Sequence, residues 1–182
     1  MQYIETSIKG VWIIEPKVFN DPRGYFFESW KHSEFEEHIG TVEFVQDNES
    51  KSSYGVLRGL HYQAGEHAQA KLVRVIKGKV VDVAVDIRKS SPTFGQHVAV
   101  ELSEDNKRQL FISRGFAHGF LVLSEEAIFA YKVDNTYAPA HEACIRWNDP
   151  DINIQWPIDT KDVITSEKDL KGKSLTNAIL FD

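Results

Sequence analysis

The sequence predicts an all-β fold, an antiparallel sandwich or barrel whose leading form is a jelly roll. Three observations predict it: short segments that alternate apolar and polar residues, turn signals between them, and no strand–helix–strand alternation of the doubly wound nucleotide folds. The clearest segment is Val80–Arg88. Val81, Val83, Val85 and Ile87 share one face there, and Asp82, Ala84, Asp86 and Arg88 share the other, the pattern of a half-buried strand.

In chain order, Val11–Glu15, Phe26–Trp30, Glu43–Asp47, Lys71–Ile76, His97–Leu102, Leu110–Ser113, Gly119–Leu123 and Ala127–Val133 read as the other strands. Turns fall at Asp21-Pro22-Arg23-Gly24, Lys77-Gly78, Ser91-Pro92 and Ser124-Glu125-Glu126, where glycine, proline and small polar residues supply the backbone angles. His32–Ile39 reads as a helix, with Ser33 and Glu36 as a capping box and Gly40 as its stop. A second short helical turn is expected around Ser166–Leu170.

The 182 residues contain no linker, repeat or low-complexity tract, so one domain over residues 1–182 is expected. A hydrophobic share of 42% beside 26% charged residues suits a packed core. No apolar run approaches the ~18 residues of a membrane span, and the opening MQYIETSIKG lacks the pattern of a secretory leader. Lys and Arg total 21 against 27 acidic residues, a net charge of -6 that repels nucleic acid but permits a small anionic ligand held by local cations. Cys144 is the only cysteine; it has no disulfide partner within the chain, which fits a reducing cytoplasm.

Candidate chemistry concentrates in Leu57-Arg58-Gly59-Leu60-His61-Tyr62-Gln63, followed by Lys71. Cations on otherwise apolar strands are costly to bury unless carboxylates or an anionic ligand pair with them. Arg58 and His61 are three apart and point to opposite faces of a regular strand. A bulge at Gly59 between them would bring both to one cavity. A second cluster, Arg114-Gly115-Phe116-Ala117-His118-Gly119-Phe120, offers either a turn histidine packed on the core or a second imidazole entering the same barrel. On residue type alone Tyr131 and Tyr137 read as packing residues, Ser166-Glu167-Lys168-Asp169 as a solvated charge run, and Gln46-Asp47-Asn48-Glu49-Ser50 as a polar loop.

Taken together, DPRGYFFE, QDNES, VLRGLHYQ, KLVRVIKGKVVDVAVDIRKSSPTFG, GFAHGF, YKVDNTY, RWNDPDINIQWP and SEKD, in that order from Asp21 to Asp169, resemble the dTDP-4-dehydrorhamnose 3,5-epimerase family. The resemblance implies a cupin-type jelly roll and an isomerase that inverts C3 and C5 of dTDP-4-dehydro-6-deoxy-D-glucose, giving dTDP-4-dehydro-L-rhamnose. It implies His61 as base, Asp169 as the partner orienting it, Lys71 as the cation that stabilises the enolate oxygen, and Tyr131 as the acid on the far face. It further implies Arg23, Arg58 and Lys168 as diphosphate contacts, Glu28, Gln46, Asp47, Asn48 and Glu142 as polar contacts, Tyr137 as a stacking contact, and His118 near the sugar. No cofactor, metal, nucleic acid or membrane enters this scheme, and a homodimer with shared sites is implied.

The residue types suit the chemistry. Imidazole, with a pKa of ~6.5, is mostly neutral near pH 7 and accepts a proton; a phenol of pKa ~10 keeps one to deliver. A preorganised cation at a developing oxyanion is worth ~3–4 kcal/mol. Two positions depart from the family: Cys144 stands where glycine is common, and Ser113-Arg114 replaces a proline and an acidic residue. If the glycine served a positive φ, cysteine would strain it and shift Glu142.

Three other readings stay open at this point. A metal-dependent cupin would draw on His61, Glu66, His67 and His118, although Gln63 takes the second place of the usual H-x-H pair. A non-catalytic sugar-nucleotide module would keep Arg23, Arg58 and Asn48 without a base and acid. A C3-only epimerase of the same family would use the same groups.

Overall fold

The computed structural model describes all 182 residues. Thirteen strands run β1 (Gln2–Glu5), β2 (Val11–Glu15), β3 (Phe19–Asp21), β4 (Gly24–Phe26), β5 (Gln46–Ser53), β6 (Leu57–Gln63), β7 (Lys71–Lys77), β8 (Lys79–Asp86), β9 (His97–Ser103), β10 (Gln109–Ile112), β11 (Phe116–Val122), β12 (Glu126–Val133) and β13 (Glu142–Cys144); the α-helices are α1 (His32–His38) and α2 (Glu167–Leu170). They form a six-stranded sheet of order β1-β2-β10-β7-β12-β5, a five-stranded sheet of order β13-β6-β11-β8-β9, and the separate β3–β4 hairpin. Every ladder is antiparallel, as the jelly-roll expectation requires.

The main core fills the space between the sheets, with Val73, Val75, Leu110, Ile112 and Phe129 from one meeting Val80, Ala84, Leu102, Phe120 and Val122 from the other. Two outer layers cover the sheets. Phe35 of α1 packs edge-on against Phe44 and Phe111 over the six-stranded sheet. The C-terminal segment lays Ile152, Trp156, Leu175, Leu180 and Phe181 over Val83 and Val85 of β8 and Ile87 just beyond it.

That second layer changes the reading of β8. Its alternation predicts one solvated face, yet Asp82 and Asp86 are both fully buried. The valines face the C-terminal cover, so the carboxylates on the opposite parity point inward. Asp86 is satisfied by the Arg88 guanidinium and the Ser91 and Thr93 hydroxyls, which hold its carboxyl down at about 2 against the upward push of burial.

Other expectations shift in detail. The strand expected at Glu43–Asp47 begins at Gln46 and runs to Ser53, because the polar stretch from Gln46 pairs as an edge strand with β12. Phe26–Trp30 is not a strand; the short β3–β4 hairpin ends at Phe26. The first helix is capped at Lys31 with no side-chain bond, so Ser33 lies inside it rather than at its cap; Gly40, at φ +117°, follows it as expected. The working capping box belongs to α2, where Ser166 Oγ accepts from the Asp169 N–H and the Asp169 carboxylate accepts from the Ser166 N–H.

The bulge expected at Gly59 is present. β6 and β11 pair His61 with His118 and Arg58 with Phe120, so two residues of β6 oppose the single Gly119. Gly59 has φ +135°, and a Cβ there would lie 2.5 Å from Gly119 Cα and 2.9 Å from the His118 carbonyl oxygen. A Cβ on Gly119 would meet the Arg58 carbonyl at 2.7 Å. The strands therefore cross where neither carries a side chain. Gly59→Ala should lower stability by about 2–4 kcal/mol in urea unfolding, because it adds backbone overlap to a disfavoured φ; a variant within 0.5 kcal/mol of wild type, on the same order-of-magnitude scale, would show that the crossing tolerates bulk.

Candidate active site

The bulge puts Arg58 and His61 on the same wall. Arg58, His61, Lys71, His118 and Tyr131 line one cavity of about 170 Å³, with Phe120 and Phe129 as its floor. A second cavity of about 100 Å³ is lined by Gln63, Gln69, Tyr137 and Glu142 and by the same His61, Lys71 and Tyr131. These three groups stand where the two lobes meet. His61 comes from the five-stranded sheet, and Lys71 and Tyr131 come from the six-stranded sheet facing it.

Each side chain has a physical setting. His61 Nε2 lies 2.5 Å from Asp169 Oδ1. Burial raises the Asp169 carboxyl, but contact with the imidazole and bonds from Ser166 outweigh it and hold the pKa below the ordinary carboxylate value. Lys71 is pushed down to about 8 by burial of its ammonium, against the opposing pull of Asp82 and Glu142. His118 is buried and directs Nε2 at both oxygens of Asp82, at 3.0 and 2.9 Å. Burial lowers its pKa, which Asp82 only partly offsets, so its ring is neutral near pH 7. Burial raises the Tyr131 phenol, with Arg58 pulling the other way, and the proton stays on oxygen.

At the rim, Tyr137 donates to Glu142 Oε2 at 2.6 Å, and Lys168 forms an ion pair with the other oxygen. Burial raises the Glu142 carboxyl, but these two partners overcome it and keep the group ionised. Arg58 donates from Nε to Ser52 Oγ at 3.0 Å, which leaves most of its exposed guanidinium free.

The chain matches the family model described as dTDP-4-dehydrorhamnose 3,5-epimerase over residues 5–177. It is 58% identical to the dTDP-4-dehydrorhamnose 3,5-epimerase of Salmonella typhimurium, with both chains covered in full. The crystal structure of the enzyme of that name from Elizabethkingia anophelis superposes with a TM-score of 0.94 at 53% identity, covering 97% of each chain. The Legionella pneumophila dTDP-6-deoxy-D-glucose-3,5-epimerase, solved with dTDP-4-keto-L-rhamnose, superposes at 0.93 with 52% identity over 97% of this chain and 93% of that one.

The chain belongs to the dTDP-4-dehydrorhamnose 3,5-epimerase family. Its cupin-type jelly roll is the fold of that family, as the sequence resemblance implies.

Within this family member the expected site residues divide by location. His61, Lys71, Tyr131, Arg58, His118, Tyr137 and Glu142 line the cleft, with Asp169 behind His61 and Lys168 beside Glu142. Asp169 is 2% exposed, so the SEKD run is not the solvated surface that its composition suggests. Gln46 and Asn48 have the same strand parity as Tyr131 and bond to each other at 2.8 Å. Asp47 has the opposite parity and is held by Lys132 at 2.9 Å, so its carboxylate is not brought to the cleft. It lines an adjoining cavity of about 340 Å³ with Trp30, Arg74 and Lys132, to which Asn48 and Tyr131 also contribute.

Arg23 and Glu28 line neither lobe. Arg23 stands on the β3–β4 hairpin, 89% exposed and tied only to its neighbour Asp21. Phe19, Tyr25 and Phe26 are exposed around it.

Cys144 has no positive φ and pairs in β13 opposite His61, so the strain considered for this departure from glycine is absent. Arg114, the other departure, is bound by Asp134 at 2.9 Å. The ligand set of a metal-dependent cupin is not assembled: Glu66 and His67 sit on a short 3₁₀ turn, with the His67 ring tilted against His141, and His118 is committed to Asp82. The only three-donor group close enough to share an ion is His61, Cys144 and Asp169.

The residue missed by sequence reasoning is Asp82. Its signal was an acid on the inward parity of a valine-rich strand, misread because the opposite face looked like the only buried one. It is the carboxylate that makes ionised Lys71 tolerable beside His118.

The lowered Lys71 pKa has a definite sign. Between about 8 and the ordinary 10.5 the unfolded chain carries the extra proton, so this group makes stability rise with pH across that window. Lys71→Met should therefore be more stable than wild type at pH 7, by about 1–3 kcal/mol. The advantage should shrink as pH approaches 10. A variant less stable at pH 7 would mean that the ammonium is a net structural asset.

Proposed function

We propose that this protein epimerises dTDP-4-dehydro-6-deoxy-D-glucose at C3 and C5 to dTDP-4-dehydro-L-rhamnose, a step of dTDP-L-rhamnose formation. The observation that carries the proposal is the placement of His61 and Tyr131 on facing sheets of one cleft that Lys71 also lines. Membership of the family, and relatives above 50% identity named as 3,5-epimerases, support the substrate and both positions of inversion.

The C4 ketone acidifies the C–H bonds at C3 and C5. His61 Nε2 lies against Asp169 Oδ1, whose negative charge favours the proton on that nitrogen even without a linear hydrogen bond and leaves the Nδ1 lone pair to take the carbon-bound proton. Asp169 stabilises the imidazolium that forms. Asp loss costs ~10⁴ in the serine-protease triad; a smaller loss is expected here, because no second nucleophile has to be aligned. The Lys71 ammonium meets the charge that develops on the C4 oxygen. Tyr131 then delivers its proton to the opposite face of the enolate, which inverts the centre. Imidazolium and phenolate reset by exchanging protons with solvent, so no net proton is consumed.

Arg58 and Lys168 suit the diphosphate, since their charged ends reach the rim of the cleft. A homodimer with shared sites accounts for Arg23 and Glu28, whose exposed hairpin region lies away from the cleft of its own protomer. The cytoplasm suits the lone cysteine and a nucleotide-sugar substrate. No helix is long and apolar enough to cross a membrane.

In D₂O with the 4-keto sugar nucleotide, wild type should place deuterium at both C3 and C5 by NMR. His61→Ala should place almost none. Tyr131→Phe should exchange at one position and mishandle reprotonation. Deuterium at C3 alone in wild type would convert the assignment to a C3-only epimerase, and none at all would end it. The free-enzyme kcat/KM should fall on its alkaline side near pH 8, as Lys71 loses its proton; a flat profile to pH 10 would remove Lys71 from that role.

Hybrid dimers test the shared site. Arg23→Ala and His61→Ala proteins, each impaired, should recover activity when denatured and refolded together, because one mixed site then has both native residues. No recovery would place Arg23 outside the partner's site.

A further inference from the structure

His61, Cys144 and Asp169 form a cluster that epimerisation does not fully use. One ring nitrogen, Sγ and one carboxylate oxygen lie within 4.8 Å of one another, with Asp169 buried and the other two half-buried. Strand register sets this arrangement, because β13 pairs Cys144 directly opposite His61. Ser166 holds Asp169 by Oδ2, which leaves Oδ1 turned toward the ring. The His61–Asp169 contact is close but off-axis: Nε2 and Oδ1 are both sealed from solvent, and neither has a partner at hydrogen-bonding angles. The thiol donates to the Ile145 carbonyl at 3.4 Å, and its hydrogen-bond partners are all backbone groups. Imidazole nitrogen, sulfur and carboxylate oxygen are the donor set of zinc.

We propose that this cluster is an inhibitory site for a thiophilic divalent cation such as Zn²⁺, held by His61 Nε2, Cys144 Sγ and Asp169 Oδ1 with water as fourth ligand. Bonds of about 2.0–2.3 Å in a tetrahedron separate the donors by roughly 3.3–3.8 Å, so the His61–Asp169 contact opens by about 1 Å as sulfur closes in. The thiol proton leaves to solvent as the metal–sulfur bond forms.

The consequence rests on the reading of His61 as the base. A neutral imidazole whose Nε2 lone pair binds metal must carry its proton on Nδ1, and the nitrogen facing the sugar then has nothing to accept a C–H proton with. The cation silences the base from behind, with the substrate cleft left open. A family member with glycine at this position lacks the sulfur, so the sensitivity belongs to chains that carry Cys144.

Chelator-stripped wild type titrated with Co²⁺, without substrate, should saturate at one equivalent and develop a thiolate-to-cobalt absorption band in the near ultraviolet. Cys144→Ser and Cys144→Gly should lack the band. In the D₂O assay Zn²⁺ should slow wild-type exchange at least about tenfold, with recovery on chelation and no protection by dTDP. Cys144→Ser should keep its basal exchange and require at least about tenfold more Zn²⁺. The proposal is overturned if wild type shows no band, if the variants are inhibited equally, or if dTDP protects, which would put the ion in the cleft. Metal-free wild type that exchanges neither position would sink the epimerase reading instead, and the cobalt band would still decide the site.

Discussion

The site depends on a place where two strands meet without side chains. Gly59 and Gly119 let β6 slip one residue against β11, and the slip turns Arg58 and His61 to the same side. In a regular ladder the odd spacing would send one of them into the C-terminal cover. The shared face is thus bought with backbone approach rather than with any attractive contact.

The polar groups so gathered are sustained by one another. Asp82 and Glu142 favour the Lys71 ammonium that burial disfavours, Asp82 holds His118, and Asp169 backs His61. Apolar residues of similar size would pack there at lower cost. The proposed epimerisation accounts for that cost, since an enolate would bring negative charge into the cleft only during the reaction. The neutral His118 keeps a second full cation away from Lys71.

Much of this was legible in the sequence, for reasons that differ by element. Antiparallel strands were readable because alternation reports one packed face directly, and the bulge followed from parity plus a glycine. The location of Tyr131, Asp169 and Lys168 at the cleft was not readable from residue type, since a tyrosine in a strand and an acid in a charge run look the same whether buried or solvated; only the ordered series of motifs pointed to them. The edge strand β5 was hidden because Gln46–Ser53 is polar throughout and pairs on one side only. Asp82 was hidden because a covering layer from residues more than sixty positions away inverts the meaning of the β8 pattern. Local periodicity has no access to that layer.

The C-terminal segment carries a consequence of its own. The same stretch of chain that shields the valines of β8 delivers Asp169 to the back of His61 through a four-residue helix. Closing the hydrophobic cover and bringing Asp169 to His61 are consequently one event. A molecule whose tail has peeled away would retain its barrel and its cleft, yet hold an imidazole with no tautomer imposed on it. On the proposed reading of His61 as base and Asp169 as its partner, activity would report whether the tail is docked.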